Sequence, residues 1–177
     1  RGALSSREFD AVQPAARVQA AIEVLGDVLT RHRPAAVALA DWGKSHRFAG
    51  SGDRAAIGNL VYDTLRVKAS AAHVMGSDTP RALVLGALRV ASKLDAAAIT
   101  RLADGGSHNP KALTPEETLH LSQSRDVDAP LWVQADIPER LLASLHRSLG
   151  DRLVEEGRAC AARAPVDVRV NTLKTAR

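Results

Sequence analysis

The segment from Gly52 to Lys68 constrains the fold of this chain more than any other, because it has two different sides at helical spacing. At about 100° per residue, apolar side chains collect on one face and polar ones on the other. The apolar face consists of Ile57, Leu60, Val61, Thr64 and Leu65. The polar face consists of Asn59, Tyr62, Asp63, Arg66, Ser70 and His73. This pattern predicts a helix from Asp53 to Lys68 at the centre of a helical bundle, with Leu60, Val61 and Leu65 buried.

Two charged residues open this predicted helix. Asp53 belongs to a Ser-Gly-Asp sequence of the kind that starts helices. Arg54 falls near the apolar side, so we expect its guanidinium to bond to carbonyl groups or a carboxylate inside the bundle. We therefore assign both residues structural roles.

Length and composition favour one helical domain. The chain has 177 residues, of which 45% are hydrophobic and only 3% aromatic. Many of the hydrophobic residues are alanines, which favour helix over sheet. A chain of this size holds one domain with a core and part of a second domain, but not a complete two-domain enzyme.

The apolar runs are too short to cross a membrane. The most apolar stretch, from Ala82 to Leu88, is bounded by Arg81 and Arg89, whereas a membrane helix needs about 20 apolar residues. No secretory signal pattern opens the chain. A single cysteine, Cys160, excludes a disulfide framework and a thiolate metal cage. We expect a cytoplasmic protein without membrane contact.

Start and stop signals predict an all-α bundle of about seven or eight helices. Thr79-Pro80 caps one helix, and the Thr114 to Glu117 capping box starts another. Gly58 and Gly86 lie inside helical patterns, where glycine costs about 1 kcal/mol relative to alanine. We expect each of these glycines to be retained by a close crossing of two helices.

Near the end of the chain the period changes from that of a helix to that of a strand. Val166, Val168 and Val170 alternate with polar residues. Because a lone strand is not stable, this segment is interpreted as the first strand of a further domain. The boundaries that follow are 1–14 for a flexible tail, 15–128 for a helical domain, 129–165 for a helical connection and 166–177 for the start of the next domain.

Positive charge is concentrated around the central segment. Between positions 31 and 68 there are seven basic and three acidic residues, and the net charge of the whole chain is +4. A polyanion site is therefore expected in this part of the chain. The candidate residues for this site are Arg31, Arg33, Lys44, Arg47 and Arg66. With so few aromatic residues in the chain, we expect contacts to phosphate rather than to bases.

The central segment resembles a known RNA-binding domain. The matching residues are Asp53, Arg54, Leu60, Val61, Tyr62, Thr64, Leu65 and Arg66. They look like the NusB-type all-helical domain, which occurs alone as an antitermination factor and at the N-terminus of RsmB/Sun-type rRNA cytosine-5 methyltransferases. Trp132, the Ile137-Pro138-Glu139 helix start and the segment 164–174 resemble the passage into the catalytic core of those enzymes. Between Ser92 and Ala129 the chain departs from the family pattern.

This resemblance implies an rRNA-positioning domain whose catalytic domain is missing from the sequence. The full-length family uses S-adenosylmethionine and two catalytic cysteines, one after a proline and one after a threonine. Cys160 lies between two alanines and matches neither motif, and Gly50-Ser51-Gly52 follows no strand as a cofactor loop would. No catalytic residue, metal ligand or cofactor is therefore assigned to this chain.

Weaker motifs are explained without catalysis. Gly43-Lys44-Ser45 resembles the end of a phosphate-binding loop but follows a predicted helix rather than a strand. Glu117 and His120 have the spacing of a carboxylate-bridged metal site, but the capping box accounts for Glu117.

Two alternatives remain at this stage. One is a free-standing antitermination-type RNA-binding factor, which would apply if the gene ended near Arg177. The other is a helical module that only packs against a catalytic domain, with its basic residues solvated.

Overall fold

The computed structural model describes residues 13–123 and 129–164, together with residues 171 and 174. Throughout these ranges the regular structure is helical and no strand is present, so the predicted all-α class is confirmed. The helices are α1 (Pro14–Thr30), α2 (Ala35–Ser45), α3 (Ser51–Arg66), α4 (Lys68–Met75), α5 (Pro80–Val90), α6 (Ala96–Leu102), α7 (Pro115–Ser122), α8 (Leu131–Gln134), α9 (Leu142–Leu149) and α10 (Leu153–Ala161). Short 3-10 turns, Glu139–Leu141 and Gly150–Arg152, precede α9 and α10.

Two predictions fall largely on residues outside this description. The segment 1–14, predicted to be a flexible tail, is described only from residue 13 onward. The predicted strand has a single described residue, Asn171.

The centre of the bundle is α5, and the prediction that the segment 53–68 occupies this place is wrong. All residues from Ala82 to Leu88 are buried. α5 packs against α1, α3, α4, α6 and α7. A helix that is apolar all round has to be covered on every side, whereas a two-sided helix such as α3 can be covered on only one.

α3 buries a narrower stripe than the sequence predicts. The chain turns at Val67 and continues as α4 instead of ending one helix at Lys68. Val61 is fully buried, as predicted. Leu60 and Leu65 are only half-buried and pack against the edge of the core, contrary to the prediction. The difference comes from the direction in which each side chain leaves the helix. Ile57, Val61 and Thr64 lie along the middle of the buried stripe and are fully buried. Leu60 and Leu65 lie at its two edges.

One of the two predicted close crossings is present. A Cβ on Gly86 would lie 2.5 Å from the carbonyl oxygen of Ala71, so α5 and α4 approach each other too closely for any side chain there. A Cβ on Gly58 would meet only the Cδ1 atom of Leu39 at an ordinary 3.7 Å, so the prediction for Gly58 is wrong. Gly157 of α10 makes a second close approach, to the carbonyl group of Ala135, which the sequence did not indicate.

Both predicted helix caps are confirmed. The hydroxyl of Thr79 accepts a hydrogen bond from the amide of Ala82 at 3.3 Å. Thr114 and Glu117 form the reciprocal capping box of α7. Glu117 also accepts a 2.7 Å bond from Nε of Arg81, which joins α7 to the start of α5. Partial burial opposes ionisation of Glu117, but the bonds from Arg81 and Thr114 hold its pKa below the ordinary value.

The segment 129–164 packs against the bundle mainly at α4, through α8. Asp136 follows α8 and has a φ of 50°, a left-handed conformation that aspartate tolerates better than most residues. Its carboxylate accepts bonds from the amide and the hydroxyl of Ser70, both at 2.8 Å, and so caps the first turn of α4. Burial nevertheless raises the pKa of Asp136 above its ordinary value.

Candidate nucleic-acid interface

Three of the five predicted RNA-binding residues lie together, but in an ion-pair network with two acids. Arg33 bonds to the carboxylates of both Asp27 and Asp41. Arg31 extends the network through Asp27 at 3.0 Å, and Lys44 through Asp41 at 2.9 Å. In the sequence Asp27 lies outside the basic segment, whereas the fold brings it into the cluster.

This pairing reduces the local charge excess. Three cations and two carboxylates leave one net positive charge in the network. Lys44 and then Arg33 lower the pKa of Asp41, so that carboxylate stays ionised at neutral pH. Arg31 and Lys44 are 74% and 76% exposed, and their pairs are of the kind that solvent screens strongly. The network is thus a weaker attractor of phosphate than the count of basic residues suggests.

Arg66 does not join the other predicted residues. It lies in the last turn of α3 and pairs with Asp63 at 3.1 Å. Asp63 also binds the guanidinium of Arg163, at the point where the chain leaves α10. No ion pair among the described residues links Arg66 or Asp63 to the network around Arg33.

The two residues assigned structural roles at the start of α3 differ in burial. Asp53 is 5% exposed, accepts a bond from the amide of Gly50 at 3.3 Å and pairs with Arg17 at 2.8 Å. Arg54 bonds through Nε to the carbonyl of Ala49 at 2.9 Å, which is the kind of partner the sequence predicts. However, Arg54 is exposed and lies over Gly43 instead of inside the bundle.

An aromatic cluster lies where α2 ends. The rings of Trp42 and His46 stack with centroids 4.2 Å apart and planes 9° apart, since the two residues are one helical turn from each other. Phe48 meets His46 edge-on at 5.7 Å. The imidazole of His46 is held by contacts from Nδ1 to the carbonyl of Trp42 at 2.9 Å and to the hydroxyl of Ser45 at 3.1 Å. The cluster is therefore fixed in place by α2 itself.

This cluster lines an open cleft with a volume of about 1060 Å³. One part of its lining comes from α1, and another comes from the loop that follows α6. The lining residues are Gln13, Ala16, Gln19, Ala20, Glu23, Trp42, His46, Phe48, Gly105, Gly106, Ser107, His108, Asn109 and Lys111. Aromatic rings and hydrogen-bonding side chains therefore face the same space.

The loop from 104 to 111 is ordered by its own hydrogen bonds. The carboxylate of Asp104 accepts from the amide of Gly106 at 2.9 Å and from the side chain of Asn109 at 2.8 Å. These bonds lower the pKa of Asp104. Gly105, with a φ of 78°, donates its amide to the carbonyl of Pro110 at 3.0 Å. This arrangement leaves Ser107 and His108 exposed in the cleft lining.

The cleft lining contains both an acidic and a basic side chain. Glu23 lies in the lining and accepts bonds from Nε1 of Trp42 at 3.4 Å and from Gln19 at 3.0 Å. Lys111 is an exposed lining residue, and Arg47 lies in the chain between His46 and Phe48. Neither cation forms an ion pair with any residue of the described ranges.

The local spacing of aromatic residues indicates this cluster, although the low aromatic content of the whole chain does not. Aromatic residues are only 3% of the chain, but Trp42 and Phe48 flank Lys44, His46 and Arg47 within seven positions. Interleaved aromatic and basic residues are typical of single-strand binding surfaces. The expectation of contacts to phosphate rather than to bases stays a prediction, and stacking on these rings is the alternative to it. Lys111 and His108 carried no such signal, because only the fold brings their loop to α1.

Among the described residues there is no group of three His, Cys, Asp or Glu side chains that could hold a metal ion. Within the same ranges, no helix is both long enough and apolar enough to cross a membrane. Comparison of the chain with protein-family models, with curated proteins and with solved structures finds no significant match. The NusB-type resemblance therefore stays a prediction from the motifs quoted above.

Proposed function

We propose that this chain is an RNA-binding domain that positions rRNA for a cytosine-5 methyltransferase in the cytoplasm. The observation that carries the proposal is the cleft beside α2, where the rings of Trp42, His46 and Phe48 line the same space as Lys111. Arg47 lies between His46 and Phe48 in the chain. Neither cation forms an ion pair within the described residues. Aromatic rings beside Arg and Lys supply both interactions that single-stranded RNA offers, which are stacking and phosphate attraction.

The methyltransferase part of the proposal comes from the resemblance and concerns the parent protein. The catalytic cysteines and the S-adenosylmethionine site would belong to the domain that follows in the same chain. No step of the methyl transfer is assigned to residues 1–177. What this domain would contribute is affinity and orientation, which lower the entropic cost of bringing the target base to the catalytic domain.

A helical packing module is the second candidate, and α9 favours it. None of its residues is buried, although Leu142, Leu145 and Leu149 lie on one side of the helix. Leu141, in the turn before it, is 40% exposed. The three leucines of α9 are half-buried, and an apolar helix face that is only partly covered is suited to further covering by another domain. Packing through α9 and RNA binding through the cleft use different residues, so each can be tested alone.

Salt dependence of RNA binding tests the function directly. We expect the wild-type chain to bind an rRNA hairpin with an affinity that falls steeply with salt, because neutralising phosphates releases counterions. The double variant Arg47→Gln/Lys111→Gln should lower the log-log salt slope by roughly one unit for each phosphate that is no longer neutralised. Fluorescence anisotropy at several salt concentrations measures both quantities.

The matched control removes the same charge from the ion-pair network. Arg31→Gln/Lys44→Gln takes away two exposed cations that already have acidic partners, so we expect a smaller change in slope. No measurable RNA binding, or binding that is insensitive to salt, would contradict the RNA-binding function. Equal effects of the two double variants would instead place the bound phosphates across both surfaces.

A further inference from the structure

We infer that the cleft beside α2 binds one unpaired nucleobase stacked on Phe48, and that the domain therefore selects unpaired RNA segments over duplex. This inference deepens the RNA-binding function proposed above and rests on it.

The ring of Phe48 is the main observation behind this inference, because the fold buries little of its apolar surface. At 69% exposure it is the most exposed large apolar residue of the described ranges. The rings of Phe48 and His46 lie at 78° to each other with centroids 5.7 Å apart, and this contact positions the Phe48 ring while leaving most of it uncovered. An exposed, oriented aromatic face is what a base needs for stacking, and such stacking tolerates any base sequence.

The cluster behind Phe48 is organised before any ligand arrives. Trp42 and His46 stack on each other, and Nδ1 of His46 lies 2.9 Å from the carbonyl oxygen of Trp42. Nε1 of Trp42 is directed to Glu23 at 3.4 Å. Since few side chains have to be ordered on binding, less of the interaction energy is lost to entropy.

Charge decides which part of a nucleotide enters. The carboxylate of Glu23 lies in the cleft lining and repels a phosphate group there. It can only accept hydrogen bonds, and the ring N–H and amino groups of bases are donors. Lys111 belongs to the lining as well and offers positive charge from the loop that follows α6. A base beside Glu23 with its phosphate toward Lys111 satisfies both signs of charge.

The structure of RNA then supplies the selectivity. In an A-form duplex the faces of the bases are already stacked on their neighbours, and side chains cannot read the deep major groove. Bases in loops, bulges and single strands can turn outward and stack on protein rings. A cleft that offers stacking on Phe48 and excludes phosphate through Glu23 therefore fits unpaired segments.

The test compares two fluorescent RNAs with equal numbers of phosphates, a hairpin with an unpaired loop and a fully paired duplex. We expect the wild-type chain to bind the hairpin more tightly. Phe48→Ala should weaken hairpin binding roughly 5- to 150-fold, the range for removing one stacked base, with an unchanged salt slope. Duplex binding should not change. Phe48→Trp should restore hairpin affinity, and Leu119→Ala, at an exposed leucine outside the cleft, should have no effect.

Each other outcome overturns the inference. If Phe48→Ala binds the hairpin as tightly as wild type, or if wild type binds duplex and hairpin equally, the base does not stack on Phe48. A weaker affinity with a lower salt slope would show that Phe48→Ala disturbed phosphate binding instead. In these three cases salt-dependent binding leaves the RNA-binding function standing, whereas no binding to either RNA would overturn both.

Discussion

Helix α5 and the junction between α2 and α3 both carry large apolar side chains, but the fold covers those of α5 and leaves Phe48 of the junction open. In α5, every residue from Ala82 to Leu88 is covered by neighbouring helices. At the junction, Phe48 is left 69% exposed although Ala49, the next residue, is buried. Burial alone accounts for the side chains of α5. The rings of the junction lie beside an open cleft, and the described residues leave the ring of Phe48 largely uncovered.

The contrast between α5 and Phe48 separates side chains that serve folding from those that are free to serve binding. An apolar residue that the core covers contributes free energy of folding and needs no further explanation. An aromatic group that is held in place but left open gains its burial only on binding. The variants below separate these two situations, beginning with the largest expected effect.

Leu85→Ala should destabilise the fold more than any other change considered. Leu85 has no exposed surface and lies in the middle of α5. Removing a buried leucine costs about 2–5 kcal/mol, depending on how far the cavity collapses. Leu119→Ala is the control, since Leu119 is 56% exposed and should change the free energy of unfolding by less than about 0.5 kcal/mol. Urea unfolding followed by circular dichroism measures both, and similar values would refute α5 as the centre of the core.

Gly86→Ala and Gly58→Ala should have opposite signs. At Gly86 the added methyl group would lie 2.5 Å from the carbonyl oxygen of Ala71, and overpacking of this kind costs about 1–3 kcal/mol. At Gly58 the methyl group meets Leu39 at an ordinary distance, so the higher helix propensity of alanine should stabilise by about 0.5–1 kcal/mol. Thermal unfolding of both variants checks the signs. A stable Gly86→Ala protein would mean that α4 and α5 do not cross closely.

Asp136→Ala should loosen the attachment of the segment 129–164. It removes the cap that Ser70 receives and places alanine in a left-handed conformation, together about 1–3 kcal/mol. Asp136→Asn keeps an acceptor and tolerates the conformation, so it should cost much less. Chemical unfolding of the two variants at neutral pH tests this order.

The pH dependence of Asp136→Asn gives a second readout. Burial raises the pKa of Asp136 above its ordinary value of 3.8, so the folded state holds this proton more tightly than the unfolded chain. The corresponding stability is present at low pH and is lost as the pH rises through the raised pKa. Relative to wild type, the asparagine variant should therefore become more stable between about pH 4 and neutrality. A difference that stays constant over this range would contradict the burial of the carboxylate.

Phe48→Ala should have the smallest effect on folding. Because the ring is mostly exposed, its removal should change the free energy of unfolding by less than about 0.5 kcal/mol. Guanidinium unfolding of wild type and variant makes the comparison with Leu85→Ala quantitative. A destabilisation of about 2 kcal/mol or more, as for a buried side chain, would mean that the cluster serves folding.

The sequence predicted the local structure of this chain better than its arrangement. The all-α class and the caps at Thr79 and Thr114 follow from composition and short-range hydrogen bonding. The apolar run from Ala82 to Leu88 signals the central position of α5, but a two-sided pattern such as that of α3 is the more conspicuous one in a sequence. Burial of Leu60 and Leu65 was overestimated because periodicity gives the direction of the apolar stripe and not its width.

The surroundings of the candidate residues could not be predicted from the sequence, for a physical reason. The charge count over positions 31–68 included Asp41 but not Asp27, which pairs with both Arg31 and Arg33 in the fold. The loop that brings Lys111 to the cleft is distant in sequence from α2. Only the tertiary structure reveals either fact.

Fluorescence of Trp42 tests the binding of RNA at this cleft most directly. The chain has two tryptophans, and Trp132 lies in α8, outside the cleft lining. In a Trp132→Phe variant, Trp42 is the only indole, stacked on His46 within the cluster that carries Phe48. We predict that titration with a hairpin RNA changes the Trp42 emission at the same concentrations at which anisotropy reports binding. Binding seen by anisotropy with unchanged Trp42 emission would show that the RNA lies elsewhere and would contradict the assignment of the cleft.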